Sequence, residues 1–172
     1  MRKRDLKGVI KMETERPKIL IVSGYHPKET FAVRVGEYFL QNNSNPDIKV
    51  VRYTGKSDRK TSTYNLRKFI ENFDPVISPI VLHGDDDLDF DAAIVYCAKT
   101  KKERTLAKNP LFDFASQSGW LIVSGRFLTY NTKYNLIDLE LNSKMESLKA
   151  VELVENFSEY LLNLYLNQGD KL

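Results

Sequence analysis

His26 and Glu29 stand three residues apart where an apolar run ends, in the stretch ILIVSGYHPKET (19–30). The chain has only two histidines, and the second, His83, closes another apolar run, VISPIVLH (76–83). Two imidazoles and a carboxylate are a donor set for a divalent metal. A catalytic zinc takes three protein ligands from His, Asp or Glu and keeps its fourth position open for water. Two neutral imidazoles and one carboxylate would leave Zn²⁺ at a formal charge of about +1, able to acidify water and polarise a carbonyl. The short His-x-x-Glu spacing suits a strand-to-helix turn that aims both side chains at one point. A third ligand far along the chain suits delivery by a neighbouring strand. A plainer assignment uses the same residues: His26 in a turn, Glu29 favouring a helix N-terminus through the macrodipole, and His83 in a loop.

The elements that must position these groups alternate between strand and helix. Apolar runs and period-two alternation predict strands over 18–24, 48–54, 76–83, 91–98, 119–125 and 134–141. Helices are expected over 29–42, with Phe31, Val35, Tyr38 and Phe39 on one face, and over 64–73. Residues 100–117 read as helical in part, interrupted at Pro110. The clearest helix spans 144–167, where Met145, Leu148, Val151, Val154, Phe157, Leu161 and Leu164 trace an apolar stripe of core type. This alternation implies a three-layer α/β/α domain with a mostly parallel mixed sheet. In such sheets functional groups collect beyond the carboxyl ends of strands, and His26, His83 and Glu140 all fall at or near such ends.

Size and composition set the frame. A chain of 172 residues is most simply one domain, here a charged lead-in over 1–17 followed by a single α/β domain over 18–172. The lone cysteine, Cys97, excludes an internal disulfide framework and points to a reducing, cytoplasmic setting. No run approaches the ~18 apolar residues of a membrane span. Basic residues gather in the lead-in, in TGKSDRKTSTYNLRK (54–68) and in KTKKER (99–104), yet the net charge is only +3. A nucleic-acid partner would call for a denser basic stripe with interleaved aromatics.

Other groups point to blander roles. HGDDDLDFD (83–91) gathers Asp85, Asp86, Asp87, Asp89 and Asp91 but lacks the glycine and distal glutamate of an EF-hand loop, so it reads as a solvated acidic loop. Cys97 lies within an apolar strand and reads as a buried, inert thiol. Neither serine that ends a strand sits in G-x-S-x-G, and both the G-x-G-x-x-G and the P-loop signatures are missing.

GYHPKE (24–29), IVLHG (80–84) and LIDLEL (136–141), in that order, resemble the zinc carboxypeptidases and their relatives, the aspartoacylases and succinylglutamate desuccinylases. The resemblance implies zinc held by His26, Glu29 and His83, with Glu140 as general base. Asp138 stands where that superfamily often has threonine. It further implies hydrolysis of an amide bond in a small N-acyl amino acid or C-terminal peptide bearing a carboxylate. Asn65 and Arg67 would hold that carboxylate, with Arg126 as another cation, and Tyr130 or Tyr134 would match the superfamily's mobile tyrosine. The chain departs from the pattern at Pro27 and Lys28, and Leu66 separates an asparagine and arginine that are usually adjacent.

The opening KILIVSGYHPKETFAVRVGEYF also resembles flavodoxin-like quinone reductases, through His26-Pro27 and Thr30-Phe31, which would imply FMN or FAD in place of zinc. That likeness fades by about residue 55. A non-catalytic binding module on a degenerate hydrolase fold is the third reading.

Overall fold

The computed structural model describes residues 16–26, 29–54, 62–97, 101–124 and 134–168. Ten elements follow one another: β1 (Ile19–Ser23), α1 (Thr30–Asn42), β2 (Ile48–Arg52), α2 (Ser62–Glu71), β3 (Ile80–Asp85), β4 (Ala92–Cys97), α3 (Lys101–Ser118), β5 (Leu121–Ser124), β6 (Leu136–Asn142) and α4 (Ser147–Gln168). The six strands form one sheet in the order β2-β1-β3-β6-β4-β5. Strands β2, β1, β3 and β6 run parallel, β4 runs antiparallel to β6, and β5 runs parallel to β4. The sheet is therefore mixed and mostly parallel, as expected. It is not the all-parallel 2-1-3-4-5 order of flavodoxin-like sheets.

Two cores cover the sheet. Ile19 and Ile21 of β1 face Phe31, Val35 and Phe39 of α1, together with α3 and α4. Leu20 and Val22 face the other way, onto Leu66 and Ile70 of α2. Strand β1 is thus buried on both faces, which is why its sequence is continuously apolar. The chain leaves β1 through α1 to reach β2, then returns through α2 on the opposite face to reach β3. Right-handed crossovers in the two directions require that split. A crevice opens between the carboxyl ends of β1 and β3, where the connections diverge.

The sequence reading needs correction in four places. Helix α3 runs through Pro110 without a break. Proline removes one helical hydrogen bond, but Leu111 and Ala115 are buried and Phe114 packs its ring against Trp120, Phe157 and Tyr160. The Tyr160 hydroxyl also donates to the Pro110 carbonyl at 2.8 Å. Packing outweighs a local cost of about 3 kcal/mol. Strand β3 starts at Ile80 rather than Val76, because Pro79 has no N–H for the ladder; it then continues through Asp85, so His83 lies inside the strand. Tyr38 is 41% and Leu148 55% exposed, outside the core stripes assigned to them. On α4 the buried face instead includes Ala150 and Leu162.

One glycine sets the spacing of α1 against β1. A Cβ on Gly36 would stand 2.4 Å from Ser23 Oγ, so the helix lies closer to the strand than any larger residue allows.

Candidate metal centre

Strand β1 ends at Ser23, and Gly24 follows with φ of +77°, a left-handed conformation that costs glycine little. The chain turns there to bury Tyr25 and expose His26. The Glu29 N–H donates to the His26 carbonyl at 3.0 Å and closes one turn around both residues. Glu29 occupies the N-cap position of α1, yet its side chain makes no cap hydrogen bond. Its Oε2 instead accepts from the Gly84 N–H at 3.3 Å and lies 3.2 Å from Nδ1 of His83. The carboxylate thus points to His83 and Gly84 rather than capping its own helix.

The histidine rings lie with centroids 5.2 Å apart, and Tyr25 packs against both, 4.5 Å from His26 and 6.0 Å edge-on to His83. One ligand atom each from His26, Glu29 and His83 fall within 4.8 Å of one another. Ligands of a tetrahedral zinc, each ~2.0–2.1 Å from the ion, stand ~3.3–3.5 Å apart. Rotation of the exposed His26 side chain can supply the difference. The chemistry of the donor set and its spacing therefore fit the zinc that the resemblance implies.

Surrounding charge points the same way. Glu140 pairs with His83 in the parallel register of β6 and β3, so both side chains rise on the α2 face of the sheet. Burial pushes the Glu140 carboxyl above its ordinary range; the His83 cation opposes that shift, while Asp138, Glu29 and Asp85 add to it. Burial alone would lower the His83 pKa, but the Asp138 and Glu29 carboxylates beside its ring nitrogens and the charge of Glu140 outweigh it and bring it to about 10. A cation is what this group of carboxylates calls for. In the metal-free protein the His83 imidazolium supplies it, and a bound metal would take that place by displacing the proton.

A pH dependence follows. The His83 pKa rises from 6.5 unfolded to about 10 folded, so its stabilisation is complete below pH ~6.5 and is lost as pH rises through ~10. With chelator present, the melting temperature should fall across that window, and His83→Gln should flatten the fall. An unchanged slope in the variant would place the titration elsewhere.

Asp138 was not singled out as a site residue from sequence. It is buried on the same face, its Oδ1 3.6 Å from His83 Nε2 and its Oδ2 3.7 Å from the Cys97 sulfur. The signal was its place in LIDLEL, where period-two alternation puts Asp138 beside Glu140 on the face opposite Ile137, Leu139 and Leu141. Cys97 is buried, as expected.

Of the expected substrate-binding residues, Asn65 and Arg67 both lie on α2. Asn65 is exposed on α2, and Arg67 pairs through Nε with Glu71 at 2.8 Å. Arg126 and Tyr130 lie outside the described residues, whereas Tyr134 donates its hydroxyl to Asp74. Within the acidic loop Asp86, Asp87 and Asp89 are exposed, and Asn142 ties the backbone down by donating to the Leu88 and Phe90 carbonyls. A cleft of about 410 Å³ opens beside Glu29, between Thr30, Arg34, Asp86 and Ser143. Among the described residues no helix is long and apolar enough to cross a membrane.

No family model matches the chain, and no curated protein matches it. Solved structures do. Murine aminoacylase 3 superposes with a TM-score of 0.56 over 90% of this chain at 14% identity. The catalytic domain of CwlV, an N-acetylmuramoyl-L-alanine amidase from Bacillus (Paenibacillus) polymyxa var. colistinus, gives 0.54 over 87% at 15% identity. An N-acetylmuramoyl-L-alanine amidase from Clostridium difficile 630 gives 0.53 over 90% at 13% identity. The chain shares its fold with an aminoacylase and two amidases. It spans 66% of the aminoacylase chain but 98% and 99% of the two amidase chains. The resemblance read from GYHPKE, IVLHG and LIDLEL thus extends to the three-dimensional fold, while identities this low leave the activity to be argued from the site.

Proposed function

We propose that this protein is a zinc-dependent hydrolase that cleaves an amide bond in a small N-acyl amino acid or a C-terminal peptide substrate. The observation that carries this reading is the Glu29 carboxylate, turned away from its own helix to meet His83 and Gly84. His26, Glu29 and His83 hold the metal, and Glu140 works beside it. Zinc bound there would polarise the amide carbonyl and lower the pKa of water. Glu140, its pKa raised by burial, takes the proton of the attacking water and returns it to the leaving amine.

A carboxylate on the substrate would meet a cation, for which Arg67 and Arg126, with the polar groups Asn65 and Tyr130, are carried over from the resemblance. Arg67 is within reach energetically. Its pair with Glu71 is a half-buried i,i+4 helix contact of a kind worth ~0.3–0.5 kcal/mol, so a substrate can displace it.

Zinc-loaded protein should hydrolyse members of a panel of N-acetyl amino acids and short peptides, lose that activity to 1,10-phenanthroline and regain it with added zinc. Stoichiometric zinc with no amide turnover across the panel would overturn the hydrolase reading.

A further inference from the structure

We infer that Asp138 is the positioning residue of this metal centre: it accepts a hydrogen bond from Nε2–H of His83 and so holds Nδ1 toward His26 and Glu29. This rests on the metal-centre reading above. Nε2 of His83 and Oδ1 of Asp138 face each other at 3.6 Å, and both are buried atoms without a hydrogen-bond partner. Buried polar groups are rarely left in that state. A small approach of ring and carboxylate satisfies both atoms at once.

Tautomer chemistry gives the pair its direction. A neutral imidazole has one N–H and one lone pair. Nδ1 lies 3.2 Å from Glu29 Oε2, on the side of the proposed ligands. If the Nδ1 lone pair is given to a metal, the proton must sit on Nε2, the nitrogen aimed at Asp138. The carboxylate itself is firmly placed. Its strand, β6, is hydrogen-bonded to β3 on one side and β4 on the other, and Cys97 Sγ lies against the second oxygen at 3.7 Å. Carboxylates behind ligating histidines fix ring orientation and raise ligand basicity.

The test compares wild type, Asp138→Leu and Asp138→Asn, with zinc affinity measured by competition against a chelating dye. Histidine ring resonances of the zinc-loaded protein are read by ¹⁵N–¹H NMR, where only two rings contribute. Wild type should show a slowly exchanging Nε2–H from the buried ring. Asp138→Leu should bind zinc about 10–100-fold more weakly and lose that proton signal. Asp138→Asn, which keeps an acceptor oxygen, should fall between the two. A merely structural role would lower the melting temperature and leave zinc affinity in the folded variants unchanged, which would overturn the inference. Should Asp138→Leu fail to fold, the wild-type spectrum decides, since Nδ1–H on His83 with zinc bound contradicts the proposal. Wild type that binds no zinc overturns the metal-centre reading itself and is distinguishable from both.

Discussion

Replacing His83 with alanine is expected to abolish stoichiometric zinc binding, the largest single effect that follows from the site. Zinc sites bind with about 10–16 kcal/mol, so removing one of three protein ligands should cost about 3–5 kcal/mol, or roughly two to four powers of ten in affinity. His83 is buried, and its loss leaves Glu29, Asp138 and Glu140 facing one another without their cation. Some of the change would therefore appear as lost stability, and His26→Ala separates the two effects. His26 is exposed, so its removal should spare the fold yet lower zinc affinity to a similar degree. Isothermal titration of both variants against wild type, with circular dichroism as the folding control, makes the comparison. A His26→Ala protein that keeps full zinc content would remove His26 from the ligand set.

Glu140→Gln should separate binding from turnover. The substitution keeps size and hydrogen-bonding capacity while removing the basic oxygen. Proton transfer by a positioned side chain contributes about 10²–10⁴-fold, and amide hydrolysis should fall by that order with zinc content unchanged. The pH profile should change as well. The acidic limb of the wild-type rate that reports Glu140 should be absent from the residual activity of the variant. If Glu140→Gln retains full turnover, the base is another group, and Asp138 and Asp85 are the carboxylates near enough to be tried next.

The sequence discloses what is local. Continuous apolar runs mark strands buried on both faces, and GYHPKE shows a strand ending in a turn that carries two donors. It also places His83 and Glu140 near strand ends. What it leaves open is which strands become neighbours. The chain order from β3 to β4 suggests adjacency, yet β6 inserts between them, and only that insertion sets Glu140 and Asp138 beside His83. Pairing between distant segments is decided by how the whole sheet buries its two faces, which no short window records. Asp138 was visible as an acidic residue two positions before Glu140, but neither the burial of its face nor its partner was. Arg67 shows the converse: the resemblance assigned it a substrate carboxylate, while its side chain pairs with Glu71 one helical turn on.

Everything proposed for catalysis depends on His26, Glu29 and His83 binding one ion together. Anomalous diffraction at the zinc absorption edge, from crystals of the full chain grown with one equivalent of zinc, tests this most directly. One peak about 2.0–2.2 Å from a nitrogen of each imidazole and an oxygen of Glu29 is the expected result. A peak at the acidic loop instead, or no peak at these three residues in protein that has bound zinc, would contradict it.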